Sequence, residues 1–390
     1  MPETGMLRQM RCLECTAYRN VFSLHRVVMA DDKNFLKFIA YLQVIGIILV
    51  VFGHSMHEYP VSGGKDLLVY RMCHSFRMPL FMFVSGFLMI HTTRRSVKNK
   101  APGVLQFAGR KFQRLILPFL VLSAITFIPR SLLSGIADDE IPFTFEAFLL
   151  SLVDSGKMVI PVYWFLHASF ILLVLNYFLI CLLEKLNAGG DAIYIFLTVL
   201  FSALFLLPFG FSSLFSLQNV VQLGIYFVLG AAYCNFYDRI DRYIPWTSFV
   251  LFISAAIVWA GLFFLVENTE WIVFCSLAGI VMCISFARIW EKSGLGCLDM
   301  FIGSNYMIFL LSWFFNVASQ QVLHHMVELP WWIFSIISFV TGVYGPWMIH
   351  KYLVARVDRK WVRGAAFLLG QSLKRRKLSQ PAEKVSLASM

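Results

Sequence analysis

The sequence predicts an all-α integral membrane protein: a bundle of about ten transmembrane helices with both termini in the cytoplasm. Three observations predict this fold class. Of the 390 residues, 59% are hydrophobic and only 14% are charged, whereas soluble domains carry about 25% charged residues. Apolar windows of about 20 residues, long enough to cross a bilayer, recur along the chain. Lys and Arg are concentrated in a few of the polar connections, as in cytoplasmic loops.

Ten apolar windows are predicted to be spans. They cover 35–53, 76–93, 112–130, 161–183, 192–208, 218–236, 247–266, 271–290, 300–323 and 331–353. The polar segment before them has no short apolar core followed by a small-residue cleavage site, so we expect no cleavable signal peptide. We therefore predict a cytoplasmic N-terminal segment 1–34, a ten-helix transmembrane domain 35–353 and a basic, disordered cytoplasmic tail 354–390.

The placement of charge predicts the orientation. Segment 91–114 contains seven Lys and Arg residues and no acid, and 356–377 contains eight basic residues. The longest connection, 131–160, contains five acidic residues. If both termini are cytoplasmic, both basic segments lie inside and the acidic connection lies outside. This topology accounts for the formal net charge of +11 without a nucleic-acid partner.

The eight cysteines indicate neither a disulfide framework nor a metal site. Cys12 and Cys15 form a C-x-x-C pair, but no second pair follows at zinc-finger spacing. The cysteines inside the apolar windows are typical of small buried hydrophobic residues.

Ionisable residues at the ends of spans are the candidates for chemistry, because charge inside a membrane is costly. His54 closes the first span, and Glu58 follows four residues later, on the same helix face if the helix continues. A carboxylate there would orient the imidazole and stabilise its charged form. The alternative is a pair of interfacial histidines, His54 and His57, that face lipid headgroups.

Arg77 enters the membrane at the start of the second span, from the same face as His54. It is suited to bind an anionic group or a developing oxyanion, and the alternative is an interfacial arginine that snorkels to water. Further along this span, Ser85 and Gly86 permit close approach between helices, and Ser85 is a substrate-binding candidate.

A basic cluster, Arg110, Lys111 and Arg114, opens the third span. It is suited to the phosphates of a nucleotide-like cofactor, and the alternative is ordinary anchoring on lipid phosphates. Trp164, at the start of the fourth span, fits either an interfacial aromatic belt or a platform on which a sugar stacks. Asn305, at the entrance of the ninth span, either binds substrate or bridges helices.

Taken in order, these segments resemble the membrane-bound acyltransferase-3 family, in particular its fucose 4-O-acetylase-like polysaccharide O-acetyltransferases. The similarity covers roughly 35–353. The segments that carry it are 47–55 (IILVVFGHS), 76–87 (FRMPLFMFVSGF), 110–118 (RKFQRLILP), 163–166 (YWFL) and 302–305 (IGSN).

The resemblance implies a ten-helix bundle of a bacterial inner membrane. Such a protein transfers an acetyl group from cytoplasmic acetyl-CoA to a hydroxyl of a surface polysaccharide or of its lipid-linked precursor. It implies that His54 is the essential histidine, that Arg110, Lys111 and Arg114 bind the cofactor, and that glycan-assembly proteins are partners. The sequence departs from the family pattern at Gln43, where relatives have Lys or Arg, and at Arg77, where they usually have His.

The catalytic hypothesis assigns His54 as general base, with Glu58 and Arg77 in support. A variant, in which His54 carries the acyl group covalently, stays open. One alternative function is a transporter or flippase of lipid-linked sugar, although such proteins place polar groups near the membrane midplane and the candidates here lie at span ends. Another is a catalytically silent family member in a glycan-assembly complex.

Overall fold

A computed structural model describes residues 37–57, 68–97, 102–132, 141–207, 210, 212–265, 272–326 and 330–371, with the backbone alone for 57, 94–97 and 321–326. Within these residues the regular elements are helices, and an isolated antiparallel bridge joins Asp154 to Leu214. The predicted fold class, an all-α membrane protein, is confirmed.

We number the helices of the described residues in chain order. They are α1 (Lys37–His57), α2 (Leu68–Val97), α3 (Val104–Leu132), α4 (Phe145–Val153), α5 (Trp164–Lys185), α6 (Gly190–Leu206), α7 (Leu217–Asn235), α8 (Tyr237–Tyr243), α9 (Phe249–Leu265), α10 (Ile272–Ser293), α11 (Asn305–Met326), α12 (Trp331–Ala355) and α13 (Lys360–Leu368). The third of these contains one π-helical turn, Phe112–Ile116.

Each predicted span overlaps one long helix. Among the described residues, seven helices are long and apolar enough to cross a membrane: α1, α2, α3, α5, α7, α10 and α12. Helices α6 and α9 are apolar but have only 17 residues each. The chain is therefore a multi-pass membrane protein, while the number of ten spans and the cytoplasmic position of both termini remain predictions.

Helix α1 lies at the centre of the bundle. It contacts α2, α10, α11 and α12, and its side chains Phe38, Tyr41, Leu42, Ile47 and Val51 are fully buried. Helix α9, by contrast, leaves many apolar side chains uncovered, as expected of a surface that faces lipid. The helix that carries the candidate histidine is thus largely enclosed by its neighbours.

Helices α2 and α7 cross at two glycines. A Cβ built on Gly86 would overlap the carbonyl oxygen of Phe227, and one built on Gly230 would overlap that of Phe83. Small residues let membrane helices approach until their backbones touch. The close approach expected at Ser85 and Gly86 is therefore present, and α7 is the partner.

Part of the predicted disordered tail is helical. Helix α13 buries Val362 and Ala366, which are four residues apart, and exposes Trp361 and Phe367. Gly370 follows with φ +67°, and a Cβ there would crowd the backbone of α3. The apolar stripe is short and embedded among basic residues, which is why composition alone indicates disorder. Residues 372–390 lie outside the described part, and the division into three regions remains a prediction.

Candidate functional site

His54 lies in the last turn of α1, which ends at His57, and its side chain is partly buried. Glu58, predicted to face it one turn later, lies outside the described residues. The contact between these two side chains therefore remains a prediction.

Arg77 packs directly against the turn that carries His54. Its side chain is 4% exposed, and a Cβ built on Gly53 would overlap its Nη1 atom. With the guanidinium in this position, the absence of a side chain at residue 53 leaves room for it, and α1 and α2 are in contact through this pair. The expectation that Arg77 enters from the same face as His54 agrees with this geometry. Among the described residues, Nε and Nη1 of Arg77 have no hydrogen-bond partner.

The remaining guanidinium nitrogen of Arg77, Nη2, contacts two residues of its own helix. Nη2 donates to the hydroxyl of Tyr70 at 3.3 Å and lies 3.0 Å from Nδ1 of His74. Because a guanidinium only donates, Nδ1 accepts, which places the proton of a neutral His74 on Nε2. The rings of Tyr70 and His74 are stacked, 5.7 Å apart. Three side chains on one face of α2 thus form a polar group beside the end of α1.

Sequence reasoning missed Tyr70 and His74. It began the second span at residue 76, because Arg71 and His74 interrupt the apolar run, whereas α2 begins at Leu68. The missed signal is the spacing 70, 74 and 77, which places three residues on one helix face.

A buried polar network on α11 and α12 is hydrogen-bonded to the last turn of α1. Nε2 of Gln320, on α11, donates to the carbonyl of Ser55 at 2.9 Å and to Oγ of Ser338, on α12, at 3.1 Å. One turn earlier, the Asn316 amide nitrogen, in the orientation that satisfies its neighbours, donates to the carbonyls of Ser338 and Ser312. The side chains of Ser55, Asn316 and Ser338 are wholly buried and Gln320 is 2% exposed. Sequence reasoning missed this network as well.

The basic cluster lies on a distorted turn of α3. Arg110 and Arg114 are exposed and Lys111 is partly buried, and the π-helical turn Phe112–Ile116 interrupts the α-helix here. Pro118 has no N–H to donate to the carbonyl four residues before it. The hydroxyl of Tyr306 donates to that carbonyl, of Arg114, instead. Such π-turns are frequent at functional sites.

The histidine and the basic cluster lie at opposite ends of the bundle. Helix α11 contacts α3 through Tyr306 near its start and α1 through Gln320 near its end. The fourteen residues between them span about 21 Å at 1.5 Å per residue. At the cluster end, Asp299 accepts hydrogen bonds from Lys37 and Tyr41, in the first turns of α1.

Two of the three predicted substrate-binding residues, Ser85 and Asn305, lie away from His54. Ser85 lies eight residues beyond Arg77, about 12 Å along α2, and Trp164 starts α5, edge-on to Phe165. Asn305 is the first residue of α11 and therefore lies at the cluster end, where its buried Oδ1 has no partner among the described residues. The roles assigned to these three residues remain predictions.

Comparison with known proteins supplies the family. The acyltransferase-3 model, described as an acyltransferase domain, matches residues 36–351. The chain is also similar to the nodulation protein NolL of Mesorhizobium japonicum, with 29% identity over 133 residues. That similarity covers 33% of this chain and 32% of the relative, so the chain spans about a third of the length of the curated relative that it matches. No solved structure matches the chain significantly.

Proposed function

The chain belongs to the acyltransferase-3 family, and we propose that it is a membrane O-acetyltransferase. It would move an acetyl group from cytoplasmic acetyl-CoA to a hydroxyl of a surface polysaccharide or of its lipid-linked precursor, in a bacterial inner membrane. The observation that carries the proposal is the contact of Arg77 with Gly53, which brings a buried guanidinium beside the turn of His54.

His54 acts as the general base. A neutral imidazole nitrogen would take the proton of the acceptor hydroxyl as that oxygen bonds to the acyl carbon. The C–S bond of the thioester would then break, and the imidazolium would return the proton to the leaving thiolate. Positioned proton transfer of this kind contributes about 10²–10⁴-fold in rate. Glu58, four residues further on, is assigned to orient the imidazole and stabilise its charged form.

Arg77 stabilises the negative charge that develops on the carbonyl oxygen. Its Nε and Nη1 atoms are buried and lack partners among the described residues, so they are available as donors. A preorganised donor aimed at such a charge gains strength from the low dielectric of a water-poor site. The bonds of Nη2 to Tyr70 and His74 fix the plane of the guanidinium, and the other two nitrogens would donate to the developing charge.

Arg110, Lys111 and Arg114 would hold the phosphates of acetyl-CoA, which supplies the acetyl group as a thioester. The residues fit this task, because two of the three cationic groups are exposed and all three lie within five consecutive residues of α3, at the start of the π-helical turn Phe112–Ile116. Arg114 is further fixed by its guanidinium lying 5.6 Å from the ring of Tyr306. Cofactor recognition and proton transfer are thereby assigned to opposite ends of the bundle.

The test is acetyl transfer in proteoliposomes with radiolabelled acetyl-CoA and the cell's own surface glycan as acceptor. We expect His54→Ala to lower the rate by at least about 10²-fold, since the base is lost. His167→Gln is the matched control, because His167 is a buried histidine packed edge-on to Phe119 and has no part in the proposal. NMR of surface polysaccharide from a deletion strain should show a lost acetyl signal.

Two results would contradict the proposal. Normal glycan acetylation by His54→Ala at wild-type protein levels would remove the histidine from the mechanism. Absence of acetyl-CoA-dependent labelling with the wild-type protein would contradict the enzymatic assignment itself, and movement of lipid-linked sugar without acetyl-CoA would then identify a transporter.

A further inference from the structure

The turn of α1 that contains His54 is hydrogen-bonded to a neighbouring helix. The carbonyl of Ser55, the next residue, accepts the 2.9 Å hydrogen bond from Nε2 of Gln320, on α11. Side-chain amides bind membrane helices to one another in this way. The position of this turn therefore depends on a side chain of α11.

The amide of Gln320 is itself held in place. Oγ of Ser338, on α12, lies 3.1 Å from Nε2, and Asn316 binds the backbone of the same serine. Gly342 makes room for this arrangement, because a Cβ there would overlap the amide of Asn316. Contacts between α11 and α12 therefore fix the direction in which Gln320 donates.

The stability of the fold does not by itself explain why residue 320 is a glutamine. Its Oε1 atom is buried and has no hydrogen-bond partner among the described residues, and an unsatisfied buried acceptor lowers stability. An apolar side chain of the same length would avoid this cost. The residue is better explained by what its nitrogen holds in place, which is the turn that contains His54.

We propose that Gln320 is a positioning residue for His54. By binding the carbonyl of Ser55, it fixes the last turn of α1 in the orientation that aims the imidazole at the acceptor hydroxyl. The inference rests on the proposed function, in which His54 is the base. Small errors in such alignment slow the reaction strongly, since a displacement of about 1 Å can lower the rate about 10²-fold.

The experiment replaces Gln320 by Met, which has similar length and no N–H group, in the proteoliposome assay. We expect kcat to fall about tenfold, within the range for a misaligned base, while KM for acetyl-CoA stays within about twofold because the basic cluster is at the other end. Ser338→Ala, which leaves the bond to Ser55, should cost less. Gln222→Met is the matched control, because Gln222 is an exposed glutamine of α7.

The outcomes separate this inference from the proposed function. Wild-type kcat in Gln320→Met, while His54→Ala is inactive, would overturn the positioning role alone. A loss confined to the yield or melting temperature of the protein, with normal kcat per folded molecule, would show a purely structural role and also overturn it. An inactive wild-type protein would overturn the proposed function and the inference together.

Discussion

The two ends of the bundle are built on different electrostatic principles. At the His54 end two of the polar side chains are buried: Arg77 is 4% exposed and Gln320 is 2% exposed. At the cluster end Arg110 and Arg114 are exposed. Exposed charges are screened by salt and interact weakly with any one partner, whereas buried charges act through a low dielectric. The first arrangement suits charge stabilisation during a reaction, and the second suits reversible binding of an anion.

A substitution at Gly53 tests the buried arrangement at the His54 end most directly. Gly53→Val should abolish activity, by more than about 10²-fold, because its side chain would occupy the space of the Arg77 guanidinium and displace the base as well. Acetyl transfer per folded molecule is the measurement. Gly261→Ala on α9, where a Cβ meets nothing within 4 Å, is the control and should behave as wild type. Equal activity of the Gly53 variant would show that Arg77 is not held where the structure has it.

Arg77→Met should have the next largest effect. We expect kcat to fall about 10²–10³-fold, the cost of losing a donor to a developing oxyanion, and KM for acetyl-CoA to change little. Arg71→Met removes an exposed arginine of the same helix and should leave kcat unchanged. If Arg77→Met instead raises KM alone, the residue binds substrate in its ground state and has no part in charge stabilisation.

The smallest effect is expected at the cluster end. The double variant Arg110→Gln, Arg114→Gln should raise KM for acetyl-CoA about tenfold with kcat nearly unchanged, because uniform binding is lost. The wild-type KM should rise with salt, and the variant should respond less, since screening acts on exposed charges. Arg242→Gln, another exposed arginine, is the control. A fall in kcat without a change in KM would refute the division of labour between the two ends.

The fold class was predictable because the length and apolarity of spans are local properties of the chain. The proximity of Arg77 to the turn that contains His54 was predictable for a similar reason, since consecutive spans run in opposite directions and the end of one lies near the start of the next. The first and last residues of the helices were harder to predict from the sequence. Helix α2 begins at Leu68, before the apolar run, and the polar residues of this part contact one another along the helix: Arg77 bonds to Tyr70 and contacts His74.

The supporting parts of the site were not predictable from local patterns. Gln320 is one amide within the predicted span 300–323, and its partner Ser55 lies 265 positions earlier in the chain. Nothing near either residue in the sequence indicates the other. The π-helical turn Phe112–Ile116 is equally hard to predict from the sequence. The carbonyl of Arg114, within this turn, accepts its hydrogen bond from Tyr306, 192 positions away. Such features depend on which helices become neighbours.

The contact between Gly53 and Arg77 also has a consequence for how this chain can evolve. The two positions are not free to vary independently, because a side chain at 53 and a guanidinium at 77 need the same volume. Enlarging residue 53 first would force the guanidinium of Arg77 out of its position, whereas shortening residue 77 first would leave that volume free. As long as the guanidinium stays beside α1, arginine at 77 therefore favours glycine at 53, and one order of substitution is easier than the other.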